Sequence, residues 1–194
     1  AVNDRHGHAA GDYLLISVAE RISSCLRPGD TAARIGGDEF AVLVDDLASA
    51  EDATRVSERI LAALAAPVPI GPRHEATSHL SPAASIGVAF GAVGVGVDDI
   101  MRDADLAMSS AKAAGKGCYR VFAEHMYAAA AERRELTSSL RGAVARGELV
   151  VHYQPIVDLE TGRVDAMEAL VRWEHPARGI LEPSEFISLA EEAG

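Results

Sequence analysis

The sequence is poor in cysteine, in long apolar runs and in basic residues. It has two cysteines, Cys25 and Cys118, which lack the spacing of metal ligands, so a reduced cytoplasmic compartment is expected. No run of about 18 apolar residues and no signal peptide is visible, which predicts no membrane contact within this segment and leaves open an anchor in upstream segments. The net charge of −11 argues against a nucleic-acid polymer as partner, because a phosphate backbone requires a basic surface.

The sequence does contain a globular composition and a regular succession of helical and strand patterns. Hydrophobic residues make up 48% and charged residues 24% of the chain, which is typical of a protein with a packed core. The spacing of apolar residues and the turn signals predict a helix (11–26), a hairpin (33–44), a helix (49–66), a loop with a short strand (67–82), a strand (84–90), a helix (98–114) and a strand (119–122). This order indicates an α+β fold in which helices pack on a mixed sheet.

The segment after residue 122 changes character. Apolar residues at a spacing of four predict a helix over 123–147 that stops at Gly147. Two strand-like runs follow, at 149–157 and 164–173, with a turn signal between them at 160–162. The change predicts a linker or the first helix of a second domain.

A pentapeptide, Gly36-Gly37-Asp38-Glu39-Phe40, lies between two short apolar segments. A Gly-Gly pair at that place predicts a two-residue hairpin turn, since glycine adopts positive φ freely. The hairpin would then carry Asp38 and Glu39 at its tip, where two carboxylates suit Mg²⁺ held against a substrate phosphate. The alternative is a solvated acidic hairpin without a ligand.

The pentapeptide and its surroundings resemble the GGDEF family of diguanylate cyclases over residues 1–122. The resemblance also rests on further matches in the family's order: Asn3-Asp4, Gly7-His8, Gly11-Asp12, Ser85-Ile86-Gly87-Val88-Ala89, Ala104-Asp105 and Ala111-Lys112. It implies a nucleotide-cyclase-like central sheet flanked by helices, which condenses two GTP into cyclic di-GMP with Mg²⁺, Mn²⁺ being possible. It also implies a homodimer, because the product is symmetric and each protomer presents one GTP.

The resemblance assigns roles to the residues of the hairpin and of the preceding helix. Asp38 matches a metal ligand and catalytic carboxylate, and Glu39 matches the second carboxylate, while Gly36 and Gly37 leave space for ribose and phosphate. Asn3 and Asp12 match the positions that read guanine, which an amide and a carboxylate can do together. Taken alone, Asp12 would be a helix N-cap and Asn3 a loop residue.

Two further pairs match ligand-binding positions in the resemblance. Lys112 and Lys116 match cations placed against the GTP phosphates, although a lysine near a helix C-terminus also favours the helix dipole. The family more often has arginine at the position of Lys116. Arg27 and Asp30 match the Arg-x-x-Asp site that binds cyclic di-GMP as an inhibitor, and the alternative is a helix-terminating Pro-Gly turn.

The last region resembles the opening of an EAL phosphodiesterase domain. The matching residues are Tyr153-Gln154-Pro155-Ile156, Glu168-Ala169-Leu170, Arg172-Trp173, His175-Pro176, Gly179, Pro183, Phe186-Ile187 and Ala190-Glu191. Residues two apart on a strand share a face, so Glu168 and Arg172 project together, as a metal ligand and a phosphate contact or as a structural ion pair. The resemblance makes Glu168 a metal ligand, with Arg172 and Gln154 contacting the cyclic dinucleotide. His6, His8 and His175 are expected to be structural or capping residues.

These resemblances predict a GGDEF domain over 1–122 without its N-terminal strand and helix, a linker helix over 123–135 and an EAL fragment over 136–194. The EAL fragment would contain the first strands of an incomplete (β/α) barrel. The parent would be a bifunctional cyclase and phosphodiesterase, whereas this piece is expected to be inactive in both directions. The alternative function is an inactive module that binds GTP or cyclic di-GMP and transmits a signal.

Overall fold

The computed structural model describes residues 7–70 and 78–193. The chain divides into two compact units, residues 1–126 and residues 127–194. Among the described residues, no helix combines the length and the apolar character that crossing a bilayer requires.

The first unit alternates helices with short strands. Its elements are α1 (His8–Ser24), β1 (Thr31–Gly36), β2 (Glu39–Leu43), α2 (Ala50–Ala65), β3 (Val68–Ile70), β4 (Ser78–Leu80), β5 (Ile86–Val88), α3 (Val97–Ala113) and β6 (Tyr119–Val121). The predicted α+β class is confirmed. The region predicted as a loop with one short strand contains two, β3 and β4, on either side of residues outside the described ranges.

The strands of the first unit pair two by two within the described residues. Strands β1 and β2 are antiparallel, as are β3 and β4, whereas β5 and β6 are parallel. A parallel pair needs a crossover connection, and α3 supplies it between β5 and β6. The mixed character predicted for the sheet is therefore present as three separate two-stranded pairs.

Helix α3 packs directly on β5 at Gly87. A Cβ atom there would lie 1.9 Å from the carbonyl oxygen of Ala104 and 2.4 Å from the amide nitrogen of Met108. Real side chains cannot approach backbone atoms so closely, so only glycine fits between this strand and this helix.

Helices α1 and α2 form the core of the first unit and cap each other's C-terminal ends. Ile22, Cys25, Ile60 and Leu64 make the buried cluster. Arg21 of α1 donates to the carbonyls of residues 63, 64, 66 and 67 at the end of α2, and Arg59 of α2 donates to the carbonyl of Cys25 after α1. These guanidinium groups satisfy carbonyls that have no partner within their own helix.

The second unit is a three-stranded antiparallel sheet with helices. Its elements are α4 (His125–Leu140), which starts just before the unit boundary, β7 (Leu149–Val157), β8 (Val164–His175), β9 (Gly179–Leu181) and α5 (Pro183–Ala193), and the strand order is β7-β8-β9. Trp173 and Phe186 lie at the centre of its core with Leu140, Ala143, Leu181 and Leu189. The prediction that the helix runs to Gly147 was wrong, because Gly142 adopts a φ of 95°, a left-handed conformation that ends a helix.

Candidate functional site: the signature hairpin and two ligand sites

The signature hairpin has a turn one residue later than predicted. Gly36 is the last residue of β1 and pairs with Glu39, so the turn consists of Gly37 and Asp38. Gly37 has a φ of 53°, which glycine adopts without strain. The prediction that Gly36 and Gly37 form the turn was therefore wrong by one position, because the pairing shifts register between Arg34 and Gly36. Asp38 lies at the tip and Glu39 begins β2.

The two carboxylates of the hairpin are open to solvent. Asp38 and Glu39 are exposed, and their side chains make no hydrogen bond or ion pair within the described residues. Nothing lies within 4 Å of the position of a Cβ atom at Gly36 or Gly37. The turn therefore leaves room beside both carboxylates for a cation and a substrate.

The hairpin fits a magnesium ion that is shared with a substrate. Across residues 7–70 and 78–193, no three His, Cys, Asp or Glu side chains form a metal cluster. Magnesium is commonly bound by one or two carboxylates together with waters and substrate phosphates, which is what Asp38 and Glu39 can offer.

The Arg34 side chain binds the backbone of the turn and not its carboxylates. Its Nε and Nη2 atoms donate to the carbonyl oxygen of Gly37 at 2.9 Å and 2.6 Å. The sequence alone assigned no role to Arg34. An arginine four residues before two carboxylates gave no signal that it would choose a carbonyl.

A groove of about 470 Å³ runs between α1 and the hairpin. Asp12 and Arg34 supply polar groups to its wall, and Leu15, Ile16, Ile22 and Phe40 are among its apolar lining residues. Asp12 lies in the second turn of α1, which begins at His8 after Gly7. The alternative interpretation of Asp12 as an N-cap is therefore wrong. Asn3 and His6 lie outside the described residues, so their predicted roles have no structural account here.

Lys112 and Lys116 lie on either side of the end of α3. Lys112 is in the last turn of the helix, while Lys116 follows it with a φ of 64°. The amides of Gly115 and Lys116 donate to the carbonyls of Lys112 and Ala111, the hydrogen bonds of a Schellman motif. Both lysine side chains are exposed and make no hydrogen bond or ion pair within the described residues, so either can meet a phosphate.

Arg27 and Asp30 contact each other in the turn that follows α1. Arg27 Nε lies 3.5 Å from Asp30 Oδ1, and the Arg27 amide donates to Asp30 Oδ2 at 3.1 Å. Arg27 Nη2 also donates to the carbonyls of Asp45 and Asp46 at 2.6 Å and 3.1 Å. The Asp30 side chain is 1% exposed, and its Oδ1 has no hydrogen-bond partner. Both sequence-based interpretations are therefore compatible with this segment. It is a turn that ends a helix, and it contains an Arg–Asp pair in which Asp30 Oδ1 accepts no hydrogen bond.

The register of β7 and β8 brings the predicted EAL residues onto one face. Gln154 lies directly opposite Glu168, and Val150 lies opposite Arg172. Because residues two apart share a face, Gln154, Glu168 and Arg172 project together. His152, opposite Leu170, is on the same face. The sequence reasoning missed it, although its position two residues before Gln154 was a sufficient signal.

Arg172 makes an ion pair, but not with Glu168. Its Nη2 atom lies 3.2 Å from Oε2 of Glu182, and Glu168 is exposed without a side-chain partner in the described part of the chain. The alternative that Glu168 and Arg172 form a structural ion pair is therefore wrong. Glu168 remains open to a cation.

A partly exposed ion pair at the start of β7 is hydrogen-bonded to the buried Trp173 ring. Arg146 donates to Glu148 Oε1 at 2.6 Å, and the Trp173 ring nitrogen donates to Glu148 Oε2 at 3.1 Å. These hydrogen bonds, the one from Arg146 above all, lower the pKa of Glu148 to about 2. His175 is buried against the Trp173 ring, and its Nδ1 accepts from the Ala177 amide, which agrees with the structural role expected for it.

Two family models match successive parts of the chain. The model of the family described as diguanylate cyclase, GGDEF domain, matches residues 1–118, and the EAL domain model matches residues 137–194. The chain therefore belongs to the GGDEF family, with the start of an EAL domain after it. Enzymes of both families generally use divalent metal ions.

Two curated relatives match this chain over its whole length. The chain is 43% identical over 195 residues to the bifunctional diguanylate cyclase/cyclic di-GMP phosphodiesterase MucR of Pseudomonas aeruginosa, covering all of this chain and 28% of MucR. It is 42% identical to the cyclic di-GMP phosphodiesterase PdeR of Escherichia coli, again with all of this chain and 28% of that protein covered. The chain thus spans less than a third of the length of the curated relatives it matches.

Solved structures agree with the fold of the first unit. The GGDEF domain of TpbB, also called YfiN, from Pseudomonas aeruginosa superimposes with a TM-score of 0.58 at 40% identity, covering 64% of this chain and 71% of that one. The GGDEF domain of DgcB from Caulobacter crescentus, solved in complex with c-di-GMP, gives a TM-score of 0.51 at 28% identity, covering 62% of this chain and 68% of that one.

Proposed function

We propose that this chain is part of a bifunctional enzyme that condenses two GTP into cyclic di-GMP and hydrolyses cyclic di-GMP. The observation that carries the cyclase activity is the pair of exposed carboxylates, Asp38 and Glu39. They lie beside a groove, at a turn whose Gly37 carbonyl accepts two hydrogen bonds from Arg34. The relatives that span the whole chain support the pairing of the two activities, since one is named for both. The domain limits, 1–122, 123–135 and 136–194, and the cytoplasmic location belong to the same proposal.

The cyclase reaction is a phosphoryl transfer. The 3′-oxygen of one GTP forms a bond to the α-phosphorus of the other, the bond from that phosphorus to the leaving oxygen breaks, and pyrophosphate departs. Such a transfer depends on positioning and on charge neutralisation more than on covalent chemistry of the protein. When bound, Mg²⁺ or Mn²⁺ supplies part of that neutralisation.

The residues of the first unit take the remaining roles. Asp38 accepts the proton of the attacking hydroxyl and binds the metal, Glu39 is the second carboxylate, and Gly36 and Gly37 leave room for ribose and phosphate. Asp12, with Asn3, reads guanine in the groove. Lys112 and Lys116 neutralise the phosphates, and the single ammonium of Lys116 grips them less specifically than a guanidinium would. Two protomers, each with one GTP, form the reacting pair.

The phosphodiesterase activity belongs to the face of β7 and β8. Glu168 would be a metal ligand, while Gln154 and Arg172 contact the cyclic dinucleotide. The separation of Glu168 from any cationic partner in the described residues supports this role, because a metal ligand must have its carboxylate available.

A second candidate function, a cyclic di-GMP sensor without turnover, is favoured by one observation. The Asp30 Oδ1 atom is buried without a hydrogen-bond partner and lies 3.5 Å from the Arg27 guanidinium. A carboxylate with a free acceptor suits a guanine donor, and the neighbouring guanidinium suits a phosphate. In the bifunctional enzyme this pair serves as the inhibitory site.

The cyclase proposal is tested in a longer protein that contains residues 1–194. Asp38→Asn and Glu39→Gln each lower the rate of cyclic di-GMP formation from GTP by about 100-fold or more, as expected for loss of an acid–base or charge-stabilising group. Glu20→Gln, which removes an exposed carboxylate of α1, is the matched control and leaves the rate unchanged. Equal rates in all the variants contradict the cyclase proposal and leave the sensor function.

A further inference from the structure

We propose that Arg34 is a positioning residue for the catalytic turn: its guanidinium fixes the Gly37 carbonyl, and with it the direction of Asp38, while leaving both carboxylates free for a cation. The importance of this clamp for a metal rests on the proposed cyclase function. The clamp itself is a property of the hairpin and can be tested without turnover.

Arg34 binds a backbone carbonyl although two carboxylates are close in sequence. Arg34 lies within five residues of Asp38 and Glu39, and an arginine pairs most strongly with a carboxylate. Instead, Nε and Nη2 both donate to the carbonyl oxygen of Gly37, and no ion pair forms between Arg34 and either carboxylate. The positive charge therefore stays near the turn without neutralising the groups that would hold a metal.

Strand β1 is distorted next to Arg34. Arg34 pairs with Phe40, but Gly36 pairs with Glu39, so Ile35 and Gly36 together face one residue of β2. A β-bulge of this kind bends the strand and redirects side chains, and such bulges occur often beside active sites. Here the bulge lies between Arg34 and the turn to which its side chain returns.

Few other side-chain contacts in the described residues restrain the turn. Gly36 and Gly37 have no heavy atom within 4 Å of a virtual Cβ position, and the side chains of Asp38 and Glu39 are exposed. The Arg34 hydrogen bonds are the side-chain contacts that the described residues provide to this turn.

A planar peptide transmits the restraint to Asp38. The Gly37 carbonyl and the Asp38 amide belong to one peptide unit, whose atoms lie close to a plane. Fixing the oxygen of that unit therefore also fixes the position of the Asp38 Cα atom, from which the side chain projects. Two donors on one oxygen define this direction better than a single ammonium could.

Amide hydrogen exchange in the 194-residue chain tests the clamp. Arg34→Ala is expected to speed exchange of the paired amides of β1 and β2 nearest the turn by about fivefold to thirtyfold, since two hydrogen bonds are lost and each contributes about 1 kcal/mol. Arg34→Lys should lie between wild type and Arg34→Ala. The control, Arg55→Ala, removes an exposed arginine of α2 that pairs with Asp52 at 3.3 Å and leaves these amides unchanged. Unchanged exchange in Arg34→Ala overturns the proposal. If that variant does not fold, Arg34→Lys with wild-type exchange overturns it.

Manganese binding, followed by electron paramagnetic resonance, tests the consequence. Arg34→Ala is expected to weaken Mn²⁺ binding by about fivefold in a variant that circular dichroism shows to be folded, and Asp38→Asn should weaken it further. Wild-type Mn²⁺ affinity in Arg34→Ala, when Asp38→Asn has lost affinity, overturns the positioning role. Equal affinity in wild type and Asp38→Asn contradicts the proposed function instead, and the exchange result still decides whether the clamp exists.

Discussion

Two antiparallel hairpins carry the carboxylates proposed to bind metal, Asp38 and Glu39 in one and Glu168 in the other, and they hold them in different ways. In the hairpin of β1 and β2, the carboxylates lie at the turn, and a side chain three residues before Gly37 fixes the turn. In the hairpin of β7 and β8, Gln154 and Glu168 lie partway along exposed strands, whose buried end is the one at Trp173. The first site depends on the local geometry of its turn. The second depends on the register of β7 and β8, which the core at the Trp173 end of the strands sets.

Because of this difference, the two sites should tolerate different substitutions. A shift of one residue in register moves every side chain of a strand to the other face, so the β7–β8 site depends on whatever fixes that register. The β1–β2 site depends instead on the few residues around its turn. Substitutions in the core of the second unit should therefore affect the β7–β8 site, and substitutions at the turn should affect the β1–β2 site.

The largest effect is expected from Trp173→Ala. Trp173 is fully buried, its ring packs edge-on against Phe186 at 5.7 Å, and its ring nitrogen bonds to Glu148. Its loss should destabilise the second unit by about 3–5 kcal/mol and remove exchange protection from the amides of β7 and β8. The measurement is urea unfolding by circular dichroism with amide exchange.

The matched control for this change is Tyr153→Ala in the same hairpin. Tyr153 is 64% exposed, so its removal should change stability little. If Trp173→Ala keeps wild-type protection along β7 and β8, the core does not set the register, and the contrast between the hairpins fails.

The next largest effect is expected at Gly37. An alanine at its φ of 53° costs about 1–2 kcal/mol, because L residues with a Cβ atom avoid the left-handed region. Exchange should speed up in the β1–β2 hairpin and nowhere in the second unit. Gly36→Ala is the control: Gly36 is not among the glycines with positive φ and has open space around it, so its replacement should be much milder. Equal effects of the two changes would show that the turn geometry is not what holds this site.

The pH dependence of the second unit should come partly from Glu148. Its folded-state pKa of about 2 is below its ordinary value of 4.5, so the ionised form stabilises the folded state. That stabilisation is complete above pH 4.5 and fades as the pH falls from about 4.5 towards about 2. Fluorescence of Trp173, the chain's single tryptophan, reports unfolding of this unit in urea.

Glu148→Gln provides the comparison for that titration. The difference in unfolding midpoint between wild type and this variant should be largest near neutral pH and shrink below pH 4.5. If the difference in unfolding midpoint stays constant down to about pH 3, which is still above the folded-state pKa of Glu148, the Glu148 carboxylate is not the cause of the pH dependence.

Much of this architecture could be predicted from local sequence patterns. The Gly-Gly pair and its apolar flanks predicted the hairpin, and β7 was predicted at residues 149–157, where the structure has it. The turn was misplaced by one residue because a bulge at Ile35 depends on the pairing of both strands, which no local pattern encodes. The end of α4 was misplaced because the sequence reasoning did not weigh Gly142 as a helix terminator.

The side-chain partners were harder to predict than the elements. Arg172 pairs with Glu182, which β9 and the start of α5 bring back to the sheet, and that proximity depends on tertiary structure. Arg34 pairs with a carbonyl, and a carbonyl is present at every residue, so the sequence cannot indicate which one is used. Resemblance supplied the roles of Asp38, Glu168 and their neighbours, and those roles stay predictions.

The most direct test of the central claim is paramagnetic broadening of backbone amide signals by Mn²⁺ in the 194-residue chain with GTP. The open carboxylates of Asp38 and Glu39 predict that the amides of residues 36–39 broaden at low Mn²⁺ concentration and that Asp38→Asn abolishes the effect. Signals of 36–39 that stay sharp while other acidic segments broaden, or broadening that Asp38→Asn leaves unchanged, would contradict the claim that this hairpin is a metal and substrate site.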